Sequence, residues 1–196
     1  MASATSYDNR NPIVSGYPDF IVSGGERKPC ETHFRVWLQI SRCLDDPTVP
    51  VSEKLWSVIA LSGIEPGDPQ SDLQGIAEFL AAGADTRHRR RQTQRVMDYD
   101  VDAGLIVASF QSEYGIDITA RGCDLHWWRF CDLLRGMGDS APIMRAVQIR
   151  TEELPTGNDE WSRKRREVIG EAKRRLAIPS KTAAEKAAKD RMLWGE

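Results

Sequence analysis

Leu125-His126-Trp127-Trp128-Arg129-Phe130-Cys131-Asp132-Leu133-Leu134 is the densest aromatic stretch of the 196-residue chain, and Gly136-Met137-Gly138 closes it. Its apolar residues recur at helical spacing and a glycine stop follows, which predicts a helix over 125–134. Neighbouring residues on a helix point about 100° apart, so Trp127 and Trp128 cannot share one narrow stripe. Either the helix is buried over a wide face, or one of the two rings lies at a contact surface. A buried indole also needs an acceptor for its ring N–H.

Working outward, the flanking sequence predicts more helices. Asp98, Asp100 and Asp102 stand at the positive end of a helix carrying Leu105, Ile106, Ser109, Phe110 and Tyr114, which Gly115 ends. Ile116-Asp117-Ile118 reads as a short extended link. A helix after Ser140-Ala141-Pro142 carries Ile143, Met144, Val147 and Ile149, and Pro155–Asn158 breaks the chain. Trp161–Leu176 is a highly charged helix with a thin stripe of Trp161, Val168, Ile169, Ala172 and Leu176. Pro179 ends it, and Thr182–Trp194 reads as a final Ala/Lys/Glu-rich helix.

Toward the N-terminus, Thr32 is the expected cap of a helix with Phe34, Trp37, Leu38, Ser41 and Leu44 on one face. A second helix from Ser52 to Gly63 carries Leu55, Trp56, Ile59 and Ala60. A third, over about 70–82, carries Leu73, Ile76, Ala77 and Leu80. Phe20-Ile21-Val22 and Arg27–Glu31, joined through Ser23-Gly24-Gly25-Glu26, read as a hairpin with Pro29 on an edge. The expected fold is mainly α: a small helical domain with a short N-terminal β-hairpin and a charged C-terminal helical extension. Residues 1–18 are read as a flexible lead-in, 19–155 as the core domain and 156–196 as the extension. Asp85–Gln94, with Arg87, Arg89, Arg90 and Arg91, is read as a mobile loop.

Composition narrows the function classes. Apolar residues make up 40% and charged residues 29%, as in a soluble globular protein, and no apolar run is long enough to span a bilayer. No basic-then-apolar leader opens the chain, so secretion is not expected. Four cysteines, Cys30, Cys43, Cys123 and Cys131, are too sparse for a disulfide scaffold and suit a reducing compartment. Charge is uneven: residues 1–83 carry six Lys/Arg against eleven Asp/Glu, whereas residues 160–196 carry eleven against six. The net charge of −2 argues against a protein that coats DNA.

No constellation defines a catalytic centre or a cofactor site. Asp98-x-Asp100-x-Asp102 resembles the start of a calcium loop, but Ala103 stands where that loop needs glycine and Ser109 where it needs a bidentate Glu. Helix N-capping is the better reading of these acids. Cys123, His126 and Cys131 fall within nine residues yet lack the Cys-x-x-Cys pairing of a zinc site, so no metal is expected there. A Gly-rich phosphate loop, a nucleophile elbow and a His-Glu metal motif are all missing, and an enzyme is not expected.

One resemblance runs through the chain. Asp102, Ile106-Val107-Ala108-Ser109-Phe110, Tyr114-Gly115-Ile116-Asp117-Ile118, Leu125-His126-Trp127-Trp128-Arg129-Phe130, Leu133-Leu134-Arg135-Gly136-Met137 and Ile143 through Ile149-Arg150 resemble the pattern of the bacteriophage gene-product-fifteen family of long-tailed phages (siphoviruses). Thr32-His33-Phe34-Arg35-Val36-Trp37, Leu44-Asp45-Asp46-Pro47 and Glu53-Lys54 extend the resemblance upstream, so that it covers about residues 20–178. Residues 84–96 and Met1–Asp19 depart from the pattern. The resemblance implies a tail assembly chaperone, non-catalytic and without a cofactor, in the host cytoplasm. Its implied partner is the tape measure protein, with the tail tube protein and a second copy of the chain as further candidates. No membrane and no nucleic acid are implied.

A chaperone for a long helical chain needs apolar helix-binding surfaces and no active site. The candidate partner-binding residues are Trp127, Trp128, Trp161, Trp194, Arg165 and Arg166. Residues 160–196 are read either as an arm that engages the partner or as a segment whose tryptophans pack back onto the body. Two alternatives stay open: a structural virion component at the tail or head–tail junction, and a nucleic-acid-binding adaptor using Arg87, Arg89, Arg90 and Arg91 with Arg163–Arg175.

Overall fold

The computed structural model describes residues 11–84 and 96–179. The Arg87–Arg91 run, the segment after Pro179 with Trp194, and residues 1–10 of the lead-in lie outside them. Among the described residues the order is α1 (Pro12–Ser15), β1 (Phe20–Ser23), β2 (Glu26–Pro29), α2 (Phe34–Asp45), α3 (Val51–Ser62), α4 (Pro69–Leu80), α5 (Ala103–Tyr114), α6 (Trp127–Arg135), α7 (Pro142–Thr151) and α8 (Glu160–Arg175). The fold is mainly α with one N-terminal hairpin, and no described helix is long and apolar enough to cross a membrane. The chain forms two compact units. Among the described residues the first joins 11–84 with 122–135, and the second joins 96–121 with 136–179.

In the first unit, β1 and β2 pair antiparallel from Phe20↔Pro29 to Ser23↔Glu26. Gly24 and Gly25 take φ of +58° and +88°, the left-handed values a two-residue hairpin turn requires. Phe20, Ile21 and Ser23 of β1 are buried, and the strand packs on α4. Gly75 makes that packing possible, because a Cβ there would collide with the Val22 carbonyl oxygen. The inner face of α4 is Asp72, Gly75, Ile76 and Phe79. It corrects the expected stripe of Leu73, Ile76, Ala77 and Leu80; Leu73 is exposed. The helix is rotated because Asp72, fully buried, accepts hydrogen bonds from Ser23 Oγ at 2.5 Å, Lys28 Nζ at 2.6 Å and the Gly67 N–H at 2.7 Å. Burial pushes its carboxyl upward, and these bonds outweigh that, holding it below the ordinary carboxylate value.

The caps of α2 and α6 share one design. Thr32 was the expected cap of α2, but the His33 ring takes that place: its Nδ1 accepts the Arg35 N–H at 3.2 Å. His126 does the same for α6, accepting the Trp128 N–H at 3.0 Å. The two histidines form an isolated antiparallel bridge, with Phe34 N–H donating to the Leu125 carbonyl at 2.9 Å and Trp127 N–H to the Thr32 carbonyl at 2.7 Å. Phe34, Trp37, Ile40, Phe79, Trp127 and Phe130 fill the core between α2, α4 and α6. Tyr17 and Pro18, at the end of the lead-in, are held as well: Tyr17 stacks on His126 and donates to Asp132, and the Pro18 carbonyl accepts from His126 Nε2 at 2.9 Å.

The second unit is built from α5, α7 and α8. Asp102 stands at the N-cap of α5, yet its side chain does not cap the helix. It forms a bidentate pair with Arg150 of α7, at 2.7 and 2.8 Å, and both side chains are almost wholly buried. This corrects the capping role expected of Asp102; Asp98 turns the chain instead, accepting the Asp100 and Val101 N–H groups. Arg150 also donates from Nε to the Leu176 carbonyl and from Nη1 to the Val96 carbonyl, so four of its five N–H groups have these partners. The buried face of α7 is therefore Ile143, Ala146 and Arg150, where the sequence predicted Ile143, Met144, Val147 and Ile149.

Candidate functional site

Helix α6 carries the aromatic stretch that dominates the sequence, and its side chains close the end of α4. Trp128 Nε1 donates to the Phe79 carbonyl at 3.0 Å and Trp127 Nε1 to the Leu80 carbonyl at 3.1 Å. Arg135 donates to the Ala81 and Ala82 carbonyls at 3.1 and 3.0 Å. The last carbonyls of a helix lack donors from a following turn, and here the four from Phe79 to Ala82 all accept from three side chains of one neighbour, Phe79 and Ala81 in addition to the Ala82 and Ala84 N–H groups. This accounts for the adjacent tryptophans. Their directions differ, but so do the positions of consecutive carbonyls at a helix end. Trp127 is 2% exposed and Trp128 9%, so neither ring offers a surface to a partner. Of the two readings the sequence leaves open, the structure has the first: the helix is buried over a wide face, and Trp127 and Trp128 are not at a contact surface.

The same stretch contains the Cys123, His126 and Cys131 group. His126 Nδ1 accepts a backbone N–H, and a carbonyl only accepts, so Nε2 carries the proton and donates to Pro18. Desolvation lowers the His126 pKa from its ordinary 6.5. Burial pushes the Cys131 thiol up to about 12. Among the described residues no group of three or more His, Cys, Asp or Glu is placed to hold a metal ion. The carboxylates of Asp98 and Asp102 are spent on the turn before α5 and on Arg150, and Asp100 enters that turn through its backbone N–H.

The exposed chemistry lies on α8. Asp159 caps this helix, accepting the Ser162 N–H and hydroxyl. Ser162 and Ile169 are its buried residues, whereas Trp161 is 65% and Val168 68% exposed. This corrects the expected stripe, in which Trp161 and Val168 face the same side as Ile169. The helix is tied down along its length: Arg166 donates to the Pro155 carbonyl at 2.8 Å and Lys173 to the Arg150 carbonyl at 3.1 Å. Within Glu160–Arg175 the packed-back reading therefore holds for the helix and fails for Trp161.

Trp161 and Val168 border an open groove of about 430 Å3 whose other lining residues are Glu152, Lys164, Arg165 and Ile169. The Arg165 guanidinium lies 5.2 Å from the Trp161 ring centroid and pairs with Glu152 at 3.2 Å. Of the candidate partner-binding residues, the structure thus brings Trp161 and Arg165 together at one surface. It puts Trp127 and Trp128 in the interior and engages Arg166 with backbone. Trp194 and the Arg87, Arg89, Arg90 and Arg91 run lie outside the described residues. Sequence reasoning missed Glu152 and Lys164. The signal for Glu152 was the Pro155–Asn158 break, which folds α8 back beside the end of α7.

A second exposed ring, Trp56 at 58%, stands on α3, whose buried residues are Val58, Ile59 and Ser62. This corrects the expected stripe of Leu55, Trp56, Ile59 and Ala60. Helical spacing puts Trp56 about 110° from the middle of the face that Val58, Ile59 and Ser62 define.

A family described as Bacteriophage Gp15 protein matches residues 19–178. The chain belongs to this family. Membership makes it a bacteriophage structural or assembly protein, and the match runs through both the α6 clamp and the α8 groove. No curated protein and no solved structure matches the chain.

Proposed function

We propose that this family member is a non-catalytic tail assembly chaperone that binds the phage's tape measure protein in the host cytoplasm. The observation that carries the reading is the groove on α8, where a large aromatic ring and a valine stand open beside cationic side chains. Large apolar groups left in water at one place, with a polar margin, are the usual mark of a protein-binding surface. A tape measure is a long helical chain with apolar stripes, and a helix laid into a groove is a common way to bind one. The tail tube protein and a second copy of the chain are further partners within this reading, which needs no cofactor.

Nucleic-acid binding is a weaker use of α8. Four of its seven Lys/Arg residues are engaged within the fold: Lys164 with Glu160, Arg165 with Glu152, Arg166 with Pro155 and Lys173 with Arg150. The experiment is co-expression of the full chain with the tape measure protein of the same phage, together with mass spectrometry of purified particles. The chaperone reading expects a retained tape measure and particles that lack the chain. Stoichiometric chain in finished particles would instead make it a structural component of the tail or head–tail junction. A steep salt dependence of binding to DNA would support the adaptor.

A further inference from the structure

We infer that the α8 groove receives a single amphipathic helix whose apolar stripe is bordered by acidic residues. The inference rests on the tail-assembly reading and adds the site and the chemistry of the partner segment. Residues three, four and seven apart on a helix share a face, so Trp161, Arg165, Val168 and Ala172 form one continuous strip along α8. Ile169 lies at the buried side of that strip, and Lys164 and Arg175 fall on its outer margin. The strip therefore has an apolar centre and a basic border. Over Glu160–Arg175 there are seven Lys/Arg against three Asp/Glu, and the excess is not neutralised by strong pairing.

The ion pairs at the groove are exposed ones: Lys164 with Glu160 at 2.9 Å, and Arg165 with Glu152 at 3.2 Å. Pairs of this kind are worth roughly 0–1 kcal/mol, so partner carboxylates can replace them at little cost. A basic amphipathic helix would bring like charges together along the border, and an uncharged one would leave the border without a complement. The groove accommodates a few side chains, as a helix presenting anchors at i, i+3 or i+4 and i+7 requires. Arg165, already over the Trp161 ring, fixes that ring as one wall.

The test uses the full chain co-expressed with the tape measure protein, comparing wild type with Val168→Asp and with the double variant Lys164→Glu/Arg175→Glu. All three positions are exposed, and the double variant remains informative if Val168→Asp lowers stability. Val168→Asp is expected to reduce retained tape measure roughly tenfold or more, and the charge reversal to reduce it severalfold. The tape measure segment protected from hydrogen exchange by the wild-type chain is expected to be an amphipathic helix with acidic margins. Wild-type retention that both variants match would overturn the inference while leaving the tail-assembly reading intact. A protected segment with basic margins would also overturn it. Failure of the wild-type chain to retain any tape measure would remove the reading itself, and the inference with it. Two results would assign the groove to a different occupant and so overturn the inference: dissociation of a self-associated chain by Val168→Asp, or increased retention on Trp194→Ala.

Discussion

Helix α6 opens on Trp127 and Trp128, and helix α8 opens on Glu160 and Trp161. The three rings are chemically alike and meet opposite ends. In α6 both indole N–H groups are consumed by carbonyls at the end of α4, and the rings complete an aromatic core. In α8 the corresponding inner position is held by Ser162, bonded to the Asp159 cap, and Trp161 is left in water against Arg165. An aromatic residue is drawn inside where a neighbour supplies both apolar area and an acceptor for its polar edge. Where the inner face of a helix is already taken by a small polar residue, the ring has nowhere to go but out. Exposure of Trp161 thus follows from how α8 is seated, and it leaves a surface that folding alone does not use.

Several substitutions would break or sharpen this contrast. The largest loss is expected from Trp127→Ala or Trp128→Ala, each about 3–5 kcal/mol in chemical denaturation, because each removes a large buried ring and the donor to an α4 carbonyl. If either variant unfolds like wild type, the clamp on α4 is not what holds the first unit. Asp102→Ala tests the second unit in the same way. It leaves the buried Arg150 without its carboxylate, and a loss near 3–5 kcal/mol is expected from breaking one side of a buried pair. Deletion of residues 160–196 should likewise lower the unfolding midpoint, since it removes Ile169 and the Leu176 carbonyl that Arg150 bonds.

A smaller effect is expected from pH. The folded His126 has a depressed pKa, so below about 6.5 the unfolded chain takes up a proton that the folded chain resists. Its contribution is present above that pH and is lost as the pH falls through the folded value. Denaturation midpoints should therefore drop between pH 7.5 and 5.5, and His126→Asn, which keeps a capping oxygen, should flatten the drop. An unchanged slope in that variant would show that His126 is not the titrating group.

What the sequence revealed and what it hid divide along the same physical line. Helix identities were legible because glycine and proline stops are local, as at Gly63 and Gly115, both at positive φ. Helix phase was legible on α5, whose inner face is Ile106, Ser109 and Phe110. It failed on α3, where Trp56 faces outward, and on α4, α7 and α8, where Asp72, Arg150 and Ser162 lie inside. Two of these are buried because of a partner far along the chain, Asp72 with Ser23 and Lys28, and Arg150 with Asp102, 48 residues away; Ser162 is held by the Asp159 cap of its own helix. Periodicity counts such residues as surface. The same omission hid the groove, since Trp161 was counted with Ile169 on one stripe. The role of Trp127-Trp128 was hidden for a related reason: their acceptors are carbonyls 47 and 49 residues earlier.

The smallest expected stability change is the most informative. Trp161→Ala should alter unfolding by less than about 0.5 kcal/mol, because its ring is mostly in water. Measured in one preparation, the denaturation midpoint of Trp161→Ala and its retention of co-expressed tape measure protein test the central claim that this ring serves binding and not folding. The account predicts a midpoint matching wild type and a large loss of retained tape measure. A lowered midpoint, or full retention with an unchanged midpoint, would contradict it.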